Sequence, residues 1–251
     1  SVRSRPPNWT RQRISGLFED TVDRDAIKNT LRAVAGQALL IETTFLADRD
    51  WELSGREQFH PFRVTEHLWV RPPWCPPVVD GAVNLIIAPG LAFGTGTHTT
   101  TQLCLTALAD LPLTGRSLLD WGCGSGILAV AALCLGARSA TGVDVDPRAL
   151  SASIDNAKRN AVAKNLAVLP PDEVPADLAC DVVVANIVAD TLIALAPVLS
   201  AHLRTGGRLL LSGILPGQAR RVSTAFTGYN FASRQRDEWV LLEGTRSTAA
   251  Y

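Results

Sequence analysis

Two carboxylates, an amide and three glycines in this chain have the types and spacing to hold a nucleoside-like ligand. The apolar run Leu118-Leu119 ends in Asp120, and Gly122, Gly124 and Gly126 follow within six residues. Glycines so close together weaken regular structure, so they either make a tight strand-to-helix turn or, with the acid before them, let a ligand approach the backbone closely. A dinucleotide loop reads G-x-G-x-x-G, its last glycine bringing a helix N-terminus close to a pyrophosphate. Here the third glycine comes one residue early and Ile127 takes the dinucleotide position. That spacing suits a ligand without a phosphate, such as S-adenosylmethionine. Asp144 ends a second apolar run, 22 residues after Gly122. A carboxylate about 20 residues beyond the first glycine is placed to accept both hydroxyls of a ribose. Asp146 before Pro147 is the better helix cap, which leaves Asp144 for the ligand. Asn186 follows Val182-Val183-Val184-Ala185, where open α/β sheets bind ligands, or else it forms a local turn or cap for the next helix. The loop from Pro89 to Thr101 is rich in glycine and threonine, and carries Phe93 for stacking on a ring. Thr97 or Thr99 could cap the helix after it.

These residues need a wound sheet to position them. From Val83 onward, apolar strand-like runs alternate with helical spacing, which predicts a mostly parallel sheet covered on both faces. Strands are expected at 83–87, 117–121, 139–143, 166–169, 181–185 and 207–213. Helices are expected at about 98–110, 125–135, 147–160, 190–203 and 216–226. Two last strands, 229–235 and 238–243, have no helix between them and are expected to pair antiparallel at one edge. Upstream, 14–18 and 38–46 read as strands around a helix over 23–35, half of a larger α/β unit. Residues 62–64 and 68–70 read as a short hairpin, followed by a proline-rich stretch. The domains drawn are 1–47, a partial amino-terminal domain, 48–80, a linker with that hairpin, and 81–251, the ligand-binding domain.

Composition narrows the function classes. Lysine plus arginine equals aspartate plus glutamate, 24 each, so no global basic field invites nucleic acid. The apolar run 127–135 is too short to span a bilayer. Five cysteines without a C-x-x-C pair and four scattered histidines argue against a disulfide framework or a metal site. Trp121 and Cys123 read as packing residues. No methionine occurs, so a trimmed chain or a fragment is expected.

Several segments resemble the ribosomal-protein methyltransferase family PrmA. They are Ala88 to His98 (A-P-G-L-A-F-G-T-G-T-H), Asp120 to Gly126, Gly142 to Pro147, Val184 to Ile187, Leu211 to Leu215 and Glu238-Trp239. Asp50-Trp51-Glu52 and Phe59 to Arg63 resemble its linker. The resemblance runs from about residue 14 to 246. It implies a class I methyltransferase, Rossmann-like fold with S-adenosylmethionine as donor. It implies lysine or N-terminal amines of ribosomal protein L11 as acceptors. Donor contacts would fall on Thr101, Gly122, Asp144 and Asn186, with Phe93, Gly94, His98 and Gly124 lining the same cleft. Asn186, or a nearby backbone carbonyl, would aim the lone pair of the accepting amine, with no dedicated general base and His98 as a possible helper. A cytoplasmic monomer acting on a protein, with no metal, nucleic acid or membrane, is expected.

Two departures stand out. The family usually carries an acid where this chain has Ala88, so a loop-anchoring contact is expected to be missing. Its amino-terminal substrate-docking domain is larger, and 14–46 are expected to be the remainder. Methylation of another lysine-bearing protein, such as an electron-transfer flavoprotein subunit, is therefore the second reading. A NAD-dependent oxidoreductase and a non-catalytic cofactor-binding module are the readings from other classes.

Overall fold

The computed structural model describes residues 16, 22–35, 40–44, 59–89 and 96–246. The chain divides into two compact units, Ser1–Leu53 and Ser54–Tyr251. In the first unit, helix α1 (Arg24–Ala35) follows Asp23, whose Oδ1 accepts from the amides of Asp25 and Ala26. This is ordinary carboxylate capping. Of the expected strand over 38–46, residues 40–44 have no ladder partner among the described residues, and so no strand forms there. Its other positions, and all of 14–18 except Gly16, lie outside the described residues.

The second unit begins with a three-stranded sheet. Strands β1 (Phe62–Arg63) and β2 (Leu68–Arg71) form the expected hairpin. Strand β3 (Val83–Ile86) pairs parallel to β2 and so lies in this small sheet, apart from the main one. Helix α2 (Thr99–Asp110) leads to the main elements β4 (Ser117–Trp121), α3 (Ile127–Cys134), β5 (Ser139–Val143), α4 (Pro147–Arg159) and β6 (Leu166–Leu169). These are followed by β7 (Cys180–Asn186), α5 (Ala189–Ala201), β8 (Leu203–Ile214), α6 (Pro216–Ala225), β9 (Tyr229–Arg236) and β10 (Trp239–Arg246). The seven-stranded order is β6-β5-β4-β7-β8-β10-β9, parallel except for β10, which pairs antiparallel with both β8 and β9.

Period-two side-chain alternation splits the core between the two faces of this sheet. Leu118, Val182, Val184 and Leu210 pack toward α2 and α3. Leu119, Val183, Ala185 and Leu211 pack toward α5 and α6. Every residue of β4 is buried, as a central parallel strand covered on both faces must be. Helix α3 is apolar around its whole circumference and buried from Ile127 to Leu133. It starts two residues later than its pattern suggests because Gly126, at φ +75°, is its N-cap. At the opposite edge, Asp181 ties three strands together. It accepts from the amide and hydroxyl of Ser117 and from Arg204.

Candidate active site

The chain leaves β4 toward β5 and β6 on one side and returns to β7 on the other. Ligands of open α/β sheets bind at this reversal, outside the carboxyl ends of the strands. Asp120 pairs with Gly142 and Val184, and Trp121 with Val143 and Ala185. Asp144, Gly122 and Asn186 therefore form the next row across three adjacent strands. At a strand spacing of about 4.8 Å, Asp144 and Asn186 stand about 10 Å apart with the glycine loop between them.

The three glycines of the loop are at φ +79°, +54° and +75°, a region that side chains other than glycine rarely enter. Two of them are also packed tight. A Cβ on Gly122 would come within 2.5 Å of the Ile187 side chain, and one on Gly126 within 2.6 Å of Ser153 Oγ. Gly122 and Gly126 thus serve the fold as turn and packing residues. At Gly124, N–H donates to Asp144 Oδ2 at 2.9 Å and the carbonyl accepts from Ser153 Oγ at 3.1 Å. Cys123 is buried, and burial pushes its thiol up to about 12. It is packing, as expected, and no nucleophile.

Asp144 uses its other oxygen, Oδ1, to accept from the Asp146 amide at 3.0 Å. Both oxygens are thereby held by backbone N–H groups, and each keeps capacity for a further hydrogen bond. Asp146 caps α4 by accepting from the Arg148 amide, and Pro147 occupies the first helical position. Asn186 is half-buried and does not cap α5, whose N-cap is Val188. Its Nδ2 donates to Thr101 Oγ1 at 3.3 Å, and among the described residues nothing donates to its Oδ1. Thr101, expected against the donor, is buried on α2 as the partner of Asn186. Ile187 is seated between two glycines, because a Cβ on Gly213 would meet the Ile187 carbonyl oxygen at 2.4 Å. The turn that carries Asn186 is thus fixed from both sides.

His98, and neither Thr97 nor Thr99, caps α2. Its Nδ1 accepts from the Thr100 amide at 3.3 Å and lies 2.8 Å from Thr100 Oγ1. The ring also stands edge-on to Trp239, 5.1 Å between centroids. A ring committed to a cap and to an aromatic contact is a poor candidate for shuttling protons. Thr99 instead donates to Asp237 in the β9–β10 turn. Phe93 and Gly94 lie outside the described residues.

Sequence reasoning noted the acid before the glycines but gave it no contact. Asp120 is 1% exposed. Its Oδ2 accepts from the Ala129 amide at 3.2 Å, and among the described residues its buried Oδ1 has no hydrogen-bond partner. Burial pushes the carboxyl up to about 7, and Asp144 nearby adds to this. A buried carboxylate oxygen without a donor signals a missing partner. A cationic ligand carrying an ammonium or sulfonium and a ribose fits this row of acceptors. A polyanionic dinucleotide would set its pyrophosphate against Asp120 and Asp144. The signal in the sequence was an acid inside a strand otherwise buried on both faces.

Comparison with known proteins agrees. The family model for ribosomal protein L11 methyltransferase (PrmA) matches residues 2–247. A ribosomal protein L11 methyltransferase from Chromohalobacter salexigens is 48% identical over 248 residues, covering 95% of this chain and 83% of that protein. The crystal structure of the ribosomal protein L11 methylase from Lactobacillus delbrueckii subsp. bulgaricus aligns with a TM-score of 0.69 at 31% identity. It covers 75% of this chain and 100% of that one. A putative methyltransferase complexed with S-adenosylhomocysteine shares the fold at a TM-score of 0.51 and 16% identity, over 64% of this chain and 52% of that one. The fold is the Rossmann-like class I methyltransferase fold, and the chain belongs to the ribosomal protein L11 methyltransferase (PrmA) family.

Proposed function

We propose that this chain methylates lysine side chains, N-terminal amines, or both, of ribosomal protein L11, with S-adenosylmethionine as donor. The observation that carries the reading is the row Asp144–Gly122–Asn186 above a buried Asp120 oxygen that has no partner among the described residues, in a chain of this family. When bound, the donor supplies a methyl carbon activated by its sulfonium. The protein must hold that donor and present an amine as a free base.

Asp144 would hold the ribose through both oxygens, and Asp120 would face the cationic methionine end. Asn186 has the catalytic role. With Nδ2 occupied by Thr101, its Oδ1 would accept one N–H of the amine and turn the lone pair toward the methyl. Such alignment supplies several kcal/mol. At pH 7 a lysine ammonium of pKa 10.4 must first lose its proton, a penalty of about 4–5 kcal/mol. Nearby positive charge and burial both lower that value. An N-terminal amine, with pKa near 8, needs only about 1 kcal/mol.

On this reading residues 1–47 contribute to substrate recognition, 48–80 link the parts, and 81–251 carry the chemistry. The enzyme works as a monomer in the cytoplasm on a protein, with neither nucleic acid nor membrane as partner. The balanced charge supports the absence of a nucleic-acid partner, and among the described residues no helix is long and apolar enough to cross a membrane. The test is mass spectrometry of ribosomal protein L11 after incubation with enzyme and donor. Added methyl groups on lysines or the N-terminus are expected. An unmodified L11 beside a methylated second protein in the same extract would refute the substrate.

A further inference from the structure

Helix α4 does more than cover the sheet. Among the described residues, strand β3 is paired with a strand on one edge only, that of β2, where Ile87 N–H reaches Arg71 O. Its other edge meets two asparagines one helical turn apart. Asn160 imitates a strand there, accepting from the Ile86 amide at 2.8 Å and donating to the Ile86 carbonyl at 2.7 Å. Asn156 continues the pattern one step further. Its Oδ1 accepts from the Ala88 amide at 3.1 Å, while its Nδ2 donates to the Ser125 carbonyl at 2.9 Å. Asn156 is 2% exposed.

One planar amide therefore bridges two separate pieces of backbone. Ser125 lies inside the glycine loop, between Gly124 and Gly126. Ala88 ends β3. A shift of the Ser125 carbonyl must turn the amide of Asn156 or break a buried hydrogen bond, and an unmade buried bond is expensive. The grip is on the backbone of residue 88, so it is indifferent to the alanine side chain where the family usually has an acid.

We infer that Asn156 is a positioning residue that couples the glycine loop to the end of β3, so that donor binding at the loop steadies residues 86–88. This rests on the reading that the loop holds the donor. Asn160 is the internal control, since its side chain touches β3 and its own helix.

The test is hydrogen exchange of the full chain, alone and with S-adenosylhomocysteine, with calorimetry to show that the ligand binds. In the wild-type protein the ligand should slow exchange at 122–129 and also at 86–88, by about fivefold or more, the lower end of ordinary coupling between sites. Asn156→Ala should keep the ligand effect at 122–129 and lose it at 86–88. Asn160→Ala should speed exchange at 86–88 with and without ligand, yet keep the difference between the two. A purely structural role for Asn156 would lower protection equally in both conditions. Ligand bound to the wild-type protein with no change at 86–88, or an undiminished change there in Asn156→Ala, would overturn the coupling. Failure of the ligand to bind would overturn the donor reading, and the coupling with it.

Discussion

Asp120→Asn isolates the charge on the buried acid. The unfolded chain loses this proton near 3.8 and the folded protein near 7. Below pH 3.8 both states hold the proton and the site has no effect. Between the two values the folded state keeps a proton that the unfolded state has released, so stability falls as pH rises. Above pH 7 the full penalty stands. At 1.36 kcal/mol per pH unit, the span from 3.8 to about 7 is worth about 4 kcal/mol. Asparagine is neutral throughout and can still accept from the Ala129 amide. The stability of the variant relative to wild type, by urea denaturation without ligand, should therefore rise by up to about 4 kcal/mol from about pH 4 to about pH 8. Binding should move the other way. A charged hydrogen bond is worth about 1.5–3 kcal/mol, so affinity for S-adenosylhomocysteine should fall by about 10- to 150-fold at neutral pH. Below pH 7 the wild-type protein must release a proton to bind, and its affinity should weaken by up to about tenfold per pH unit. A stability difference that is flat in pH, or ligand bound equally well by both proteins, would refute this account of Asp120.

Asn186→Ala should leave affinity for S-adenosylhomocysteine within about threefold of wild type but lower kcat by about tenfold or more, the loss of one aligning hydrogen bond. Single-turnover methylation beside calorimetry checks both, and a variant with unchanged turnover would remove Asn186 from the chemistry. Gly213→Ala forces a Cβ against the Ile187 backbone at φ +83°. It should destabilise the protein by about 1–3 kcal/mol, measured by urea denaturation, and lower kcat by displacing the Asn186 turn. At Asp181, burial raises the carboxyl, but the Ser117 and Arg204 hydrogen bonds outweigh it and hold the group at about 2. Its stabilisation is present above pH 3.8 and fades as pH falls toward 2. Asp181→Asn should therefore weaken the protein at neutral pH and show less further loss in acid denaturation.

The wound sheet was legible because its strands and helices carry different periods. β7 and α4 fall within a residue of their expected limits, and the antiparallel closing pair was marked by the missing helix between its strands. The assignment of β3 to a separate small sheet was not legible. Its apolar run looks like any parallel strand, and what decides its place is the hairpin before it and two asparagines far along the chain. Asp144 and Asn186 could be named from position alone, since each ends an apolar run. The cap at His98 was hidden by four neighbouring threonines with better intrinsic capping chemistry. The bond from Asn186 to Thr101 spans 85 residues, and no local pattern encodes a contact made by folding.

The order β8-β10-β9 has a consequence for synthesis. The strand made last among those described sits inside the sheet, paired to β8 along one edge and to β9 along the other. Until it emerges from the ribosome, β8 presents an open edge and β9 has no neighbour. Trp239, its first residue, is also what His98 leans on at the start of α2. Strand β10, and with it the Trp239 ring against the His98 cap, thus joins the sheet only after every other described strand has been made. A chain interrupted before β10 would carry Asp120, Gly122, Asp144 and Asn186 at the ends of β4, β5 and β7 and still leave β8 with an unpaired edge.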